Sequence, residues 1–170
     1  MTLIRPALLE EAETLAALHV RTWQEAYAAL LPEEYLRSLT PSQRLPMWTQ
    51  ILDSPDRVAI FVAVVDDDLV GFSCGGVSND EGATPTTGEM WSIYLLQEFW
   101  NRGIGKELHD TLLEELQKRR FKEATLWVMG SNDRTRRWYE RQGWTLDGAQ
   151  KTVELWEAMV PEVRYRKPLG

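Results

Sequence analysis

The sequence predicts an α/β (α+β) fold in which a mixed, mostly antiparallel central sheet of about seven strands carries flanking helices. Two apolar runs, Val58–Val65 and Leu69–Cys74, are separated by a short acidic turn, which indicates an antiparallel hairpin. The runs Met90–Leu95 and Ala124–Val128 enclose one amphipathic helix, which indicates a right-handed crossover between parallel strands. Two further strands are predicted to form an antiparallel end of the chain: Trp144–Trp156 and Val163–Lys167.

The N-terminal part of the chain is predicted to be helical after a short first strand, Leu3–Arg5. A helix is expected from about Glu10 to Tyr27, because apolar or small residues recur there at three- and four-residue steps. Two shorter helices are predicted over Leu31–Leu36 and Pro41–Leu52, each with a proline near its start. The segment Ser78–Thr87 has no apolar periodicity and is expected to be a loop.

Three consecutive aspartates, Asp66–Asp68, could be read as a metal site or as a solvated turn. The turn is the preferred interpretation, because neighbouring strand residues point to opposite faces and short acidic turns are normally hydrated. No metal site is predicted. With His19, His109 and the single Cys74, the chain also has too few soft ligands for zinc.

The segment Trp100–Lys106 joins the strand ending at Leu95 to the amphipathic helix. Gly103 and Gly105, separated only by Ile104, allow a sharp turn and direct backbone N–H groups into one concavity. The following helix adds the positive end of its dipole. This junction is predicted to bind a phosphate or diphosphate group.

The spacing of the loop excludes two common nucleotide motifs. A Walker A loop would need Ser or Thr where Glu107 stands, and a dinucleotide fingerprint would need a small residue at Leu108. The remaining pattern, two glycines one residue apart after a strand, resembles the pyrophosphate loop of the GNAT superfamily of acyl-CoA-dependent N-acyltransferases. That family usually has Gln or Arg where this chain has Trp100.

The segments around the loop extend the resemblance. Residues 88–95 resemble the family's fourth strand, 126–128 its fifth strand and 132–144 its last helix. The likeness continues more loosely into the N-terminal half and the ending 163–169, so it covers nearly the whole chain. It implies one N-acetyltransferase domain over residues 1–170, in which the fourth and fifth strands splay apart.

The resemblance implies acetyl-CoA as the co-substrate and no metal. In the family, the pantetheine arm enters the gap between the splayed strands and pairs with their backbone. Carried over by position, the residues that would bind the cofactor are Ile93, Tyr94 and Leu95 along the arm, Asn101, Arg102, Gly103, Ile104, Gly105 and Lys106 at the diphosphate, and Asn132 from the fifth-strand side. A solvated surface position is the alternative for Lys106.

Acetyl transfer to an amine requires a base, an acid and an oxyanion donor. An alkyl ammonium with a pKa of about 10 must lose a proton, and a thiolate with a pKa of about 8.5 gains one as it leaves. Tyr139 matches the tyrosine that many family members place beside the cofactor sulfur, and it is the candidate acid. Glu89, at the start of the fourth strand, is the candidate base. Packing of Tyr139 and simple exposure of Glu89 are the alternatives.

The acceptor pocket of this family is usually formed by the first two helices and the loops beside the fourth strand. Trp23, Tyr27 and Trp91 are therefore the candidate substrate-binding residues. Trp91 shares the face of Glu89 in a strand of period two. The alternative for Trp23 and Tyr27 is packing in the core, which aromatic residues at helical spacing often do.

Composition limits the functional classes. The chain has 170 residues, 44% hydrophobic content and a net charge of −7, which fits one core and argues against a nucleic-acid partner. The N-terminal residues have no signal-peptide pattern and no run approaches 18 apolar residues, so we expect a cytoplasmic protein without membrane contact. A homodimer is an arrangement that the sequence allows.

The sequence therefore predicts an N-acetyltransferase that moves the acetyl group of acetyl-CoA to a primary amine of a small molecule or peptide, by direct attack in a ternary complex. Two alternatives remain at this point. One is a regulatory module of the same fold that binds CoA without turnover. The other is a nucleotide-binding enzyme that uses the glycine loop differently.

Overall fold

The computed structural model describes residues 1–170. The N-terminal half contains strand β1 (Thr2–Pro6), helices α1 (Ala12–Ala26), α2 (Glu33–Ser38) and α3 (Pro41–Leu52), and strands β2 (Val58–Val65) and β3 (Asp68–Val77). The C-terminal half contains β4 (Thr87–Leu95), α4 (Ile104–Lys118), β5 (Glu123–Met129), α5 (Asp133–Arg141), β6 (Thr145–Leu155) and β7 (Ala158–Pro168).

All seven strands belong to one sheet, in the order β1-β2-β3-β4-β5-β7-β6. Every neighbouring pair is antiparallel except β4 and β5, which are parallel and are connected through α4. The predicted fold class, a mixed and mostly antiparallel seven-stranded sheet with flanking helices, is confirmed. The final strand, β7, lies between β5 and β6 and so brings the end of the chain next to β5.

The helices cover both faces of the sheet. Phe72 and Ser73 are neighbours on β3 and therefore point to opposite faces. The Phe72 ring packs against Trp48 of α3, with ring centroids 4.9 Å apart, whereas the Ser73 hydroxyl donates to the carbonyl of Leu108 in α4 at 3.2 Å. Consequently α3 and α4 lie on opposite faces, and α1 lies on the side of α3, because the His19 ring of α1 also packs on Phe72 at 5.5 Å.

Several predicted boundaries differ from the structure for local reasons. The first helical turn, Leu9–Glu11, is a 3₁₀ turn, and α1 begins at Ala12. Pro32 has an extended backbone (ψ 134°), so α2 starts after it and runs to Ser38. The last strand begins at Ala158, earlier than predicted, because the turn that closes the β6–β7 hairpin is short.

Strands β4 and β5 are paired only at their beginnings. Thr87–Glu89 pairs with Glu123–Thr125, and no pairing between the two strands follows. Beyond Glu89 the strands separate, which confirms the expected splay. The backbone groups of β4 and β5 that face each other across this gap have no strand partner.

A bulge at Trp91 changes which residues of β4 share a face. Met90 pairs with Gly75 and Ser92 pairs with Cys74, so Trp91 is an extra residue in the ladder. Simple alternation would place Tyr94 on the face opposite Glu89, because the two residues are five positions apart. Because the extra residue shifts the alternation by one, Glu89 and Tyr94 lie on the same face of the sheet.

Candidate active site

A cavity of about 950 Å³ occupies the gap between the splayed strands. Its walls come from both strands, from the start of α4, from α5, from the end of α1 and from the β6–β7 hairpin. Most of the predicted site residues line it, namely Trp23, Tyr27, Glu89, Trp91, Ile93, Tyr94, Leu95, Asn101, Gly103, Gly105, Lys106, Asn132 and Tyr139. The cavity is therefore the candidate active site.

The start of α4 presents free backbone donors to one end of the cavity. Gly103 precedes the helix with a positive φ of 86°, and no side chain caps this helix end. The first intrahelical bond runs from the N–H of Glu107 to the carbonyl of Gly103 at 3.1 Å. The N–H groups of residues 104–106 thus have no acceptor in the protein, and an anion is the ligand such a helix end favours.

The two glycines of this loop have different roles. Gly103 adopts the left-handed conformation, as does Asn101 with φ 60°. Gly105, in contrast, lies inside the first turn of α4, so the prediction that both glycines make the turn is wrong. A Cβ at Gly105 would have Trp138 as its nearest neighbour at 3.9 Å. Its small size leaves room between α4 and α5.

Side chains of the loop are less involved than their backbone. The Arg102 guanidinium lies over the Phe99 ring at 5.3 Å, and Ile104 is buried in the core. The Lys106 ammonium forms an ion pair with Asp110, one turn further along α4. The side chains of Arg102 and Ile104 do not line the cavity, so only their backbone groups can contribute to it.

The gap also has polar groups from its strands. The carbonyl of Leu95 accepts a hydrogen bond from the Trp100 indole N–H at 2.7 Å, which occupies one acceptor of the open β4 edge. Asn132, at the start of α5, is buried, and its side-chain oxygen caps the helix by accepting from the N–H of Thr135. The Asn132 amide nitrogen has no partner in the protein and lines the cavity.

Tyr139 is 7% exposed, and its ring packs between Trp138 and Trp144. Its hydroxyl group forms no hydrogen bond within the protein, although the residue lines the cavity. Burial, with a smaller contribution from Tyr27, raises the pKa of Tyr139 above its usual value. The phenol therefore keeps its proton at neutral pH and can offer it to a group in the gap.

Glu89 lies where β4 and β5 begin to separate. Burial and the nearby carboxylate of Asp80 raise the pKa of Glu89 to about 7, while a hydrogen bond from the Ser78 hydroxyl at 3.2 Å opposes this shift. A carboxyl group with that pKa is a better proton acceptor than an ordinary glutamate and is still substantially ionised at neutral pH. These are the properties required of a general base.

Trp23 and Tyr27 form the wall contributed by α1. Their rings are 4.9 Å apart, and the Tyr27 hydroxyl shares a hydrogen bond of 2.8 Å with the Tyr94 hydroxyl. Both also pack against the small apolar cluster of Leu31, Leu36, Met129 and Val160. They line the cavity and contribute to the core at once. The Trp91 ring packs against Gly76. A Cβ atom at that glycine would lie only 3.2 Å from the Trp91 ring.

Sequence reasoning did not include several residues that line the cavity. Lys151 and Glu162 come from the β6–β7 hairpin, and they reach the site because β7 lies beside β5. The Trp127 indole N–H donates to Asp80, and the Lys151 ammonium lies 4.2 Å from the centre of the Trp127 ring. The apolar residues on either side of Trp127 could have indicated which face of β5 it lies on. No local signal, however, places β7 next to β5.

The two histidines have structural contacts. The Nδ1 atom of His19 accepts from the Trp48 indole at 3.2 Å, and burial lowers the pKa of His19 to about 3. His109 accepts from the Trp144 indole at 2.9 Å through Nε2, so its Nδ1 atom donates to Asp110.

No three acidic, histidine or cysteine side chains are grouped to hold a metal ion. None of the helices combines the length and apolar character that crossing a membrane requires.

Comparison with known proteins places this geometry in a family. Residues 13–144 match the model of the acetyltransferase (GNAT) family. The chain is 32% identical over 135 residues to the uncharacterized N-acetyltransferase YuaI of Bacillus subtilis, covering 78% of this chain and 74% of that protein. It is 24% identical over 148 residues to the spermidine N(1)-acetyltransferase of Thermoplasma acidophilum, covering 85% of this chain and 88% of that protein.

A solved structure shows the same fold. The PaiA N-acetyltransferase of Thermoplasma acidophilum, in complex with coenzyme A, superposes with a TM-score of 0.78. The alignment covers 99% of each chain at 21% sequence identity. The likeness therefore extends over the whole sheet and its flanking helices.

Proposed function

The chain belongs to the acetyltransferase (GNAT) family, and from this premise we propose that it transfers the acetyl group of acetyl-CoA to a primary amine of a small molecule or peptide. Residues 1–170 would act as one domain. The observation that carries the proposal is the cavity between the splayed strands, with unpaired backbone donors at one end and the high-pKa carboxyl of Glu89 lining it.

The cavity suits both parts of CoA. The diphosphate fits the uncapped start of α4, where the N–H groups of residues 104–106 would bind it. The pantetheine arm carries amide groups, which match the open backbone edge of β4 at Ile93 and the free amide nitrogen of Asn132. This assignment uses mainly backbone groups, so the replacement of the family's usual Gln or Arg by Trp100 does not weaken it.

Glu89 is the proposed base. The amine arrives mostly as an ammonium ion and must lose a proton before its nitrogen attacks the thioester carbonyl. A carboxylate with a pKa near 7 accepts that proton directly or through a water molecule. The new C–N bond then forms, and a backbone N–H of the open part of β4 is available to stabilise the oxyanion, a contribution of roughly 3 kcal/mol.

Tyr139 is the proposed acid. As the C–S bond breaks, the attacking nitrogen loses its second proton to solvent and the leaving thiolate takes the phenolic proton, which gives the neutral amide and the free thiol of CoA. Burial raises the pKa of Tyr139, and the same apolar surroundings raise the pKa of a thiol, so the proton transfer stays accessible. The phenolate is then reprotonated from solvent and Glu89 releases its proton to solvent, which completes the cycle.

The proposed activity is tested by release of thiol from acetyl-CoA in the presence of amines. The panel includes spermidine, simple diamines, amino acids, aminoglycosides and peptides. We expect thiol release that depends on one class of amine and equals the amount of acetylated amine found by mass spectrometry. CoA binding without turnover by any amine would instead favour a non-catalytic CoA-binding module, and preference for ATP over CoA would contradict the assignment of the loop.

Substitution of Gly105 tests the phosphate end of the cavity. Gly105→Glu is expected to weaken CoA binding at least tenfold, because it adds a negative charge beside the proposed diphosphate site. Calorimetry measures the affinity, and circular dichroism checks the fold. Gly105→Ala is the control for the added Cβ, which the protein accommodates at 3.9 Å from Trp138. Unchanged CoA affinity in a folded Gly105→Glu variant would rule out this loop as the phosphate site.

Tyr27 and Tyr35 form a matched pair for testing the acceptor wall. Both pack against the same apolar cluster, and each contacts a tryptophan ring, but only Tyr27 lines the cavity. We expect Tyr27→Leu to raise the KM for the amine several-fold without changing CoA affinity, and Tyr35→Leu to leave both unchanged. Both variants should lose stability in thermal unfolding. An unchanged amine KM in Tyr27→Leu would assign this residue to packing alone.

A further inference from the structure

Trp100 is held in a fixed position immediately before the phosphate loop. Its indole N–H donates to the carbonyl of Leu95 at 2.7 Å, which ties the side chain to the end of β4. One face of the ring is covered by the guanidinium of Arg134, whose central carbon lies 3.6 Å from the ring centre. Arg134 is the second residue of α5, so the stack joins α5 to the loop, and both residues line the cavity.

The Arg134 guanidinium has no partner other than this ring. It takes part in no ion pair and no hydrogen bond, although it carries five N–H donors. The one influence on its pKa is partial burial, which lowers it, with no carboxylate near enough to raise it. Arg134 thus brings an uncompensated positive charge, already oriented by stacking, to the cavity wall.

The other cations at this end are engaged or distant. Lys106 is paired with Asp110, and the Arg102 side chain lies over Phe99 outside the cavity lining. Arg141 lines the cavity without a partner, but it is seven residues beyond Arg134 on α5, or about 10 Å along the helix axis. Arg134 is therefore the cation at this end that has no ionic partner and contacts Trp100, next to the phosphate loop.

We propose that Arg134 binds the diphosphate of CoA from α5, opposite the backbone donors of residues 104–106. This inference rests on the proposed function. A guanidinium pairs with phosphate through two parallel N–H donors, and its stacking on Trp100 restricts the side chain before the ligand arrives. Trp100 thus serves as a platform for a cation contributed by another element of the fold, and Arg134 is a specificity-determining residue for the phosphate end of the cofactor.

The test measures binding of CoA and of dephospho-CoA, which has the diphosphate but lacks the 3′-phosphate, by calorimetry. Arg134→Gln is expected to weaken binding of both ligands about tenfold, because one charge-assisted contact is lost. Arg137→Gln is the matched control, since Arg137 is an exposed arginine on the same helix that does not line the cavity. It should bind both ligands like the wild type.

Arg134→Lys keeps the charge without the planar stack, and it should retain affinity within about threefold of the wild type. The stack on Trp100 is the one contact that these variants change within the protein, so they should unfold within a few degrees of the wild-type temperature. Wild-type affinity of Arg134→Gln for CoA would overturn the inference, as would a loss confined to CoA and absent with dephospho-CoA, which assigns the contact to the 3′-phosphate. Failure of the wild-type protein to bind CoA would overturn the proposed function itself.

Discussion

Tyr139→Phe is expected to lower kcat about 10²-fold, the usual scale of general acid catalysis, with little change in CoA affinity. The substitution keeps the ring that packs between Trp138 and Trp144 and removes only the hydroxyl group. That hydroxyl forms no hydrogen bond within the protein, so its loss leaves no buried partner unsatisfied. The unfolding temperature should therefore stay near the wild-type value while turnover falls.

Tyr165→Phe is the control with the opposite expected pattern. The Tyr165 hydroxyl donates to Glu140 at 2.8 Å and accepts from Arg136 at 3.1 Å, but the residue does not line the cavity. Loss of the Tyr165 hydroxyl should lower the free energy of unfolding and leave kcat unchanged. Steady-state kinetics and thermal unfolding of both variants separate the two roles. Full activity of Tyr139→Phe would preserve the proposed cofactor site and refute the proposed acid.

Most helices and strands could be predicted from the sequence because their signals are local. The apolar run Val58–Val65, the turn after it and the amphipathic helix after Gly103 each depend on a few neighbouring residues. The capping of α5 by Asn132 and its termination before Gly143, which has φ 86°, were also readable from residue type. The resemblance to the GNAT superfamily then supplied the splay of β4 and β5, which no periodicity indicates.

The site was less accessible to sequence reasoning, because much of it depends on distant pairings. A single extra residue, Trp91, moves Tyr94 to the face of Glu89, and nothing in the sequence of β4 marks a bulge. The insertion of β7 beside β5 brings Glu162 into the cavity wall, a consequence of sheet order. The stack of Arg134 on Trp100 joins residues 34 positions apart along the numbering of the chain.

Glu89→Gln is expected to remove the rise of kcat/KM with pH on the acidic side. In the wild type, Glu89 with a pKa of about 7 must be deprotonated to accept the amine proton, so kcat/KM should increase as pH rises through about 7. The variant should be slower by about 10²-fold at pH 8, where the wild-type carboxylate is ionised. Glutamine keeps the size of the side chain and can still accept the hydrogen bond from Ser78.

The pH dependence of the free energy of unfolding tests the pKa of Glu89 independently of activity. Because folding raises the pKa of Glu89 from its ordinary value of 4.5, the folded state binds more protons than the unfolded state between pH 4.5 and about 7. The contribution of Glu89 to the free energy of unfolding therefore falls as pH rises through that window, and Glu89→Gln should remove this contribution.

Glu81→Gln, a change at an exposed residue of the neighbouring loop, should alter neither the pH–rate profile nor this stability trend. If Glu89→Gln keeps the wild-type pH–rate profile but loses the stability trend, the carboxyl group is buried as described and a water molecule, or an amine that arrives neutral, replaces it as the base.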